Sequence, residues 1–280
     1  IKEFFMDIIS DIVAKINGFL WDYALLFLLC GTGIYFTIRL KFVQIIKFKD
    51  GWNKTFGAFS LRGKEAGKEG MSSFQSLATA VAAQVGTGNL AGAATALIAG
   101  GPGAIFWMWV SAFFGMATIF VEASLGQEYK TTTKDGHAIG GPVYYIKAAF
   151  KGVVGKFLAG LFAIFIILAL GFMGNMVQSN SISGAFVNVF PRIKPLWIGI
   201  LCALIAAFIF IGGLKRIASF AEKTVPIMAL FYIIGSLIIL IMNIKNLPSS
   251  IALIFTSAFN PQAAIGGGFG IGIQQAMRFG

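Results

Sequence analysis

Six apolar runs, each about as long as a membrane is thick, are the feature that most constrains the fold of this chain. A helix needs about 20 apolar residues to cross the ~30 Å hydrocarbon core of a bilayer. The runs lie at 19–39, 74–98, 103–125, 153–177, 196–213 and 225–243. A membrane-spanning backbone must satisfy its polar groups within helices or closed barrels. The sequence therefore predicts an all-α polytopic membrane protein.

Composition and charge agree with this prediction. Of the 280 residues, 57% are hydrophobic and only 12% are charged, whereas soluble domains carry about 25% charged residues. The net charge is +11, but the Lys and Arg residues lie in short segments between apolar runs. No basic face with interleaved aromatic residues is left free, which argues against nucleic acid as a partner and for membrane lipid.

The distribution of Lys and Arg predicts the orientation in the membrane. Sixteen of them lie in the segments 39–70, 127–156 and 214–223, and five lie on the opposite side of the predicted spans. Cytoplasmic loops carry the excess of positive charge. We therefore expect the loops 40–73, 127–152 and 214–223 to be cytoplasmic and the N-terminus to be external, in a multi-pass protein of the cell (plasma) membrane.

The segment from Val85 to Leu90 places Gly86, Thr87, Gly88 and Asn89 in the middle of the run 74–98. Glycines and polar residues at this depth are costly for a continuous helix. One interpretation is a broken helix, whose free N–H groups would bind an anion and whose free carbonyls would face a cation. The other is a face of small residues that packs against another helix. A dinucleotide-binding turn is excluded because no strand precedes it.

Two further sets of polar residues also leave alternatives open. Asn175, Gln178, Ser179 and Asn180 follow an apolar run, and they either reach the same cavity or mark the point where the helix leaves the membrane. Glu122 is the one carboxylate well inside an apolar stretch. Such a group either carries a proton or forms a structural pair with a basic loop residue.

Nothing in the sequence indicates an enzyme. It contains no nucleophile elbow, no set of metal ligands and no phosphate loop followed by Lys. Cys30 and Cys202 each lie inside an apolar run and fit small packing residues. His137 is the single histidine and has no ligand cluster beside it. We therefore expect neither a catalytic residue nor a bound cofactor.

Several motifs resemble the signature of the alanine or glycine:cation symporter family. They are the segments 84–92, 100–109, 113–118 with Glu122-Ala123, 140–146, and 212–218 with Glu222 and Val225-Pro226. The resemblance covers essentially residues 19–280.

The resemblance implies a LeuT-like fold, with two inverted repeats of five helices and one extra N-terminal span. The helical spacing of apolar residues in 1–17 itself predicts an amphipathic interfacial helix, 1–18, that ends near Asn17-Gly18. On the family scheme, 19–39 is the extra span. The basic cytoplasmic loop is 40–73, the first five-helix repeat is 74–243, and 244–280 is a connector with the start of the second repeat. The chain would then be an N-terminal fragment, truncated at the start of that repeat.

The resemblance also implies a function, the import of alanine or glycine by symport with sodium. It assigns Thr87, Gly88 and Asn89, in the unwound part of the repeat's first helix, and Gln178 to the substrate. The backbone carbonyls of Ala83, Val85 and Gly86 are the expected ligands of Na⁺, the coupling ion. The alternatives are a proton-coupled amino-acid transporter and a channel-like or purely structural membrane protein.

Overall fold

A computed structural model describes residues 2–56, 73–133 and 138–259 of the chain. The expectations for His137, for the basic residues within 57–72 and for the start of a second repeat within 260–280 lie outside these ranges.

The first part of the described chain is helical. It contains α1 (Lys2–Phe19), a π-helical stretch (Leu20–Leu25), α2 (Leu26–Arg39), α3 (Val43–Ile46), α4 (Phe48–Phe56), α5 (Ser73–Gln84), α6 (Thr87–Gly100) and α7 (Gly103–Glu128).

A short antiparallel hairpin separates these helices from the rest. Its strands are β1 (Thr131–Thr132) and β2 (Ala138–Ile139), and Thr131 pairs with Ile139. The elements that follow are α8 (Pro142–Ala149), α9 (Gly152–Ile166), a π-helical stretch (Ile167–Gly174), α10 (Asn175–Val189), α11 (Pro195–Ile211), α12 (Gly213–Met242), a 3₁₀ turn (Ile244–Asn246) and α13 (Leu247–Phe259).

Apolar helices occupy all six predicted spans. Within the described residues, three helical stretches are long and apolar enough to cross a membrane, namely Gly103–Glu128, Gly152–Val189 and Arg216–Met242. A fourth span is a pair of helices, Phe74–Gln84 and Thr87–Ile98, bent by 47°. The helices Phe27–Arg39 and Pro195–Ile211 are apolar but shorter. The all-helical, polytopic membrane architecture is thus confirmed.

Three of the predicted boundaries differ from the structure. Asn17-Gly18 does not end the first helix, because α1 runs to Phe19 and continues through π-helical backbone into α2. The predicted span 153–177 extends to Val189. The prediction of a loop at 214–223 is wrong, because these residues form the first turns of α12. Hydropathy separates a charged stretch from an apolar one, but both can belong to one helix, since Lys and Arg are good helix formers.

The described residues form two compact units. Of the described residues, the first unit takes 2–48, 92–121 and 243–259, and the second takes 49–56, 73–91, 122–133 and 138–242. The interfaces within each unit are built from small side chains. In the first unit, Ala104 and Ala117 are fully buried, and a Cβ added to Gly103 would lie 2.8 Å from the backbone of Ala258. Small residues allow helix backbones to approach closely, as in other membrane helix pairs.

In the second unit, α5 packs against α12, α8 against α9, and α11 against both α10 and α12. A cluster of Ala78, Ala221 and Val225 joins α5 to α12, with Val81 partly buried against it.

Large apolar side chains point outward instead. Ile211 is 84% exposed and Phe231 is 75% exposed, which fits surfaces that face lipid or other helices rather than water.

Candidate functional site

The helix break lies at Val85 and Gly86, the two non-helical residues between α5 and α6. The hydrogen bond from Val85 N–H to the Val81 carbonyl (2.8 Å) completes α5, and the bond from Asn89 N–H to the Gly86 carbonyl (3.1 Å) begins α6. The break was expected at Thr87-Gly88-Asn89, but these residues form the first turn of α6. The interruption is therefore confirmed, and its position is corrected by two residues toward the N-terminus.

In the described residues, the alternative interpretation, a face of small residues in close helix packing, holds for Ala78, which packs on α12, but not for Gly88 or Gly92. A Cβ added to Gly88 or to Gly92 would meet no atom within 4 Å. A packing face would instead bring a neighbouring helix against both glycines.

Gln178, on α10, contacts the break. Its Oε1 accepts a hydrogen bond from the Thr87 hydroxyl at 2.9 Å and a longer one from Thr87 N–H at 3.5 Å. A Cβ added to Gly86 would lie 2.5 Å from Gln178 Nε2. Gly86 therefore leaves the space in which the Gln178 amide lies, and Gln178 caps the start of α6 as an N-cap side chain would. Three of the sequence-predicted site residues are thus brought together.

The first turn of α6 still has a free donor. Thr87 N–H and Asn89 N–H have acceptors, but Gly88 N–H donates to no group among the described residues. The positive end of the helix dipole adds to the attraction of such a donor for an anion. The Asn89 side chain is exposed on the same turn.

The last turn of α5 offers hydrogen-bond acceptors instead of donors. Within the described residues, the carbonyls of Ala83 and Val85 accept no backbone hydrogen bond. The Gly86 carbonyl differs, because it already accepts the Asn89 N–H where α6 begins. Unpaired carbonyl oxygens at a helix C-terminus favour a cation.

The other polar residues of α10 do not join Gln178 at the break. Asn175, Ser179 and Ser183 line an open groove together with Gly199 of α11. Asn175 also donates from Nδ2 to the Gly171 carbonyl at 2.9 Å, within the π-helical stretch. The backbone remains helical to Val189, beyond the end of the predicted span. The polar residues therefore divide between two faces.

Glu122 has a different neighbour from the one expected. No ion pair of Glu122 is present among the described residues. Its charge acts instead on Tyr145 of α8, where burial and then the nearby Glu122 carboxylate raise the pKa of the tyrosine hydroxyl above its ordinary value. Glu122 thus lies where the end of α7 meets the segment after the hairpin.

One pair of residues was missed in the sequence. Gln75 Nε2 donates to Glu222 Oε2 at 2.9 Å, which joins α5 to α12. Glu222 was noted only as part of a family motif, and its partner lies 147 positions away. No periodicity in the sequence could have connected the two.

Comparison with known proteins identifies the family. Residues 6–280 match the model of the sodium:alanine symporter family. This is a family of transporters and not of enzymes. The match therefore confirms both the resemblance and the expectation that the chain is not an enzyme.

Three curated relatives illustrate the range of the family. The sodium/alanine symporter AgcS of Methanococcus maripaludis is 43% identical over 98% of this chain and 60% of its own length. The putative sodium/proton-dependent alanine carrier protein YrbD of Bacillus subtilis is 44% identical over 97% of this chain and 54% of its own length. The probable sodium/glutamine symporter GlnT of Bacillus subtilis is 40% identical over 98% of this chain and 55% of its own length.

The chain thus spans a little over half the length of the curated relatives it matches. The family model matches this chain almost from end to end. This chain belongs to the sodium:alanine symporter family.

Proposed function

We propose that the complete protein imports a small neutral amino acid, alanine or glycine, by symport with sodium across the cell membrane. The observation that carries the proposal is the break between α5 and α6. It places a helix N-terminus with a free donor next to a helix C-terminus with free carbonyls. Secondary transporters bind substrate and coupling ion at discontinuous helices of this kind.

The substrate carboxylate binds the start of α6 in this proposal. Gly88 N–H is the free donor, the Thr87 hydroxyl and the Gln178 amide lie beside it, and the Asn89 side chain completes the set. The space beside Gly88, where a Cβ would meet nothing within 4 Å, takes the substrate. A pocket lined by glycine and short side chains favours a small amino acid over a large one.

The cation binds the end of α5, at the carbonyls of Ala83, Val85 and Gly86, and the Gly86 carbonyl keeps its bond to Asn89 N–H. Substrate and ion then stabilise the same backbone geometry, so that each increases the affinity for the other. Such reciprocity is a thermodynamic requirement, and couplings between two sites are typically about 1–3 kcal/mol, or roughly 5–150-fold in affinity.

The complete protein has a LeuT-like fold of two inverted repeats in this proposal, with this chain providing the extra span and the first repeat. Support comes from the five apolar spans that follow α2, the first of which is the broken pair. The excess of basic residues supports an external N-terminus and cytoplasmic segments at 40–73 and 127–152. The exposed apolar side chains fit contact with membrane lipid.

Proton coupling is the second candidate, because one relative is named a putative sodium/proton-dependent alanine carrier. Glu122 is the group that would carry the proton. Its exposed position beside Tyr145, at the end of α7, favours a structural role instead. Family membership favours symport over the channel-like and purely structural alternatives.

Alanine binding and uptake by the complete protein, purified and placed in liposomes, test the proposal. We expect alanine affinity to be about 5–150-fold higher in sodium than in potassium, and Glu122→Gln to change it little. Equal affinity in sodium and potassium, with an increase at low pH that is lost in Glu122→Gln, would instead establish proton coupling. Uptake that does not saturate with alanine would favour a channel.

A further inference from the structure

The first half of the broken helix is attached to a different partner from the second half. α5 packs on α12 through Ala78, Ala221 and Val225, which are 3%, 6% and 8% exposed. The first turn of α6 is held by Gln178 of α10 through the Thr87 hydroxyl. The geometry of the break therefore depends on where α12 holds α5 and where α10 holds α6.

A polar contact fixes the end of α5 that lies farther from the break. Gln75 Nε2 donates to Glu222 Oε2 at 2.9 Å, and both side chains are partly buried. Within the described residues, Glu222 makes no ion pair with a Lys or Arg side chain. A hydrogen bond to a charged acceptor is about twice as strong as one between neutral groups. Removing one partner loses the bond and also leaves the other polar group without a partner, which costs further free energy.

Gln75 and the buried cluster lie on one face of α5. Gln75, Ala78 and Val81 follow one another at intervals of three residues, so that all three face α12. The polar contact and the apolar cluster thus hold α5 at successive turns. Without the contact at Gln75, only the apolar cluster of Ala78, Val81, Ala221 and Val225 would hold α5 on α12.

The tilt of α5 matters because its other end carries the proposed cation ligands. Ten residues separate Gln75 from Val85, which is about 15 Å of helix at a rise of ~1.5 Å per residue. A tilt of about 4° over that length moves the carbonyl end by about 1 Å. Such a tilt moves the Ala83 and Val85 carbonyls relative to the Gly86 carbonyl, which is bonded to Asn89 N–H of α6, so that the three no longer coordinate the ion together.

We propose that Glu222 is a positioning residue for the coupling ion: through Gln75 it fixes α5 on α12 and so places the Ala83 and Val85 carbonyls at the break. This inference rests on the proposed function, because it concerns the ion that the break binds. Glu222 does not touch the ion. It acts through α5, and the hydrogen bond rather than the charge is what the site requires.

Substitutions of Glu222 test the proposal in the complete protein in liposomes. Glu222→Ala should raise the concentration of coupling ion needed for half-maximal alanine uptake by about tenfold, the effect of one charge-assisted hydrogen bond. Half-saturation by alanine at saturating ion should change less than about twofold. Glu222→Gln should raise the half-maximal ion concentration much less than Glu222→Ala does, because its amide oxygen still accepts from Gln75 in a neutral hydrogen bond. Glu128→Ala, which removes an exposed carboxylate of α7, is the matched control and should have no effect.

The double exchange gives the decisive comparison. Gln75→Glu alone sets two carboxylates against each other and should impair ion dependence at least as much as Glu222→Ala. Gln75→Glu combined with Glu222→Gln restores one donor and one acceptor in the opposite order, and should recover most of the wild-type ion dependence. Thermal unfolding of the same variants should show the same recovery.

Two results would overturn the proposal while leaving the proposed function intact. One is wild-type ion dependence in Glu222→Ala, and the other is a double exchange no better than Gln75→Glu alone. A wild-type protein whose uptake depends on neither sodium nor protons would instead refute the proposed function, and this inference with it.

Discussion

Replacing Gly86 by Ala tests the contact on which the candidate site depends. The added Cβ would lie 2.5 Å from Gln178 Nε2, and the next two nearest atoms, at 3.4 and 3.5 Å, belong to the same amide. Ordinary contacts between non-bonded heavy atoms begin near ~3.5 Å, so the amide must withdraw by about 1 Å. The end of a Gln side chain can move that far. We therefore expect Gly86→Ala to fold, with Thr87 separated from its acceptor.

The magnitude follows from the bonds that are lost. The bond from the Thr87 hydroxyl to Gln178 is short, at 2.9 Å, and the one from Thr87 N–H is long, at 3.5 Å. A net hydrogen bond is worth ~0.5–1.5 kcal/mol, and the long bond adds a smaller amount. Loss of both should weaken alanine binding by about 1–2 kcal/mol, or roughly 5–30-fold.

Alanine binding to the purified complete protein measures this effect, and thermal unfolding checks that each variant is folded. Gly92→Ala is the matched control, because its added Cβ would meet nothing within 4 Å. It should bind alanine as the wild type does. Gly86→Ala should also be made in a Gln178→Ala background, where the new methyl group has no amide to displace.

The double variant is the sharper test, because contacting residues are not additive. If the contact carries the effect, Gly86→Ala should weaken binding by less than about twofold when Gln178 is already truncated. An equally large loss in both backgrounds would refute the reasoning and place the effect of Gly86 in the backbone. Wild-type affinity in Gly86→Ala itself would refute the contact altogether.

Three further predictions concern the same helices. Thr87→Val, which removes the hydroxyl donor at nearly constant volume, should weaken alanine binding by about 2–10-fold, whereas Thr87→Ser should not, as measured by alanine titration. Gly88→Leu should abolish alanine uptake while the protein remains in the membrane, and normal uptake would remove Gly88 from the site. Cysteine at Arg192 should react with an impermeant reagent in intact cells and cysteine at Lys151 should not, because they flank the 38-residue helix 152–189; the reverse pattern would invert the topology.

The helix break could be predicted from sequence because Gly86, Gly88 and Asn89 lie inside an apolar run, where such residues destabilise a continuous helix. Its position could not. The residue that fixes it is Gly86, whose role depends on an amide that comes from another helix. Thr87 and Gln178 are 91 positions apart, and single-sequence patterns do not reveal contacts between distant segments.

The start of α12 was not predicted as a helix at all. A hydropathy window ends where charges appear, so that residues 214–223 were expected to be a loop. The charged turns are nevertheless helical, and they carry Ala221 and Glu222, which hold α5. The sequence therefore predicted the apolar part of each span better than its polar ends. Whether a polar end stays helical depends on its contacts with other helices, which a single sequence does not reveal.

The π-helical stretch Ile167–Gly174 joins α9 to α10. Its geometry sets the direction in which the side chains of α10 point relative to those of α9. Backbone hydrogen bonds in a π-helix join residues five apart instead of four, so each residue turns the chain by less than the ~100° of an α-helix. Gln178 lies four residues beyond the end of the stretch. The direction of Gln178 toward the break therefore depends on the π-helical backbone of 167–174. If the same eight residues were α-helical, each would turn the chain further, and Gln178 would point away from Thr87.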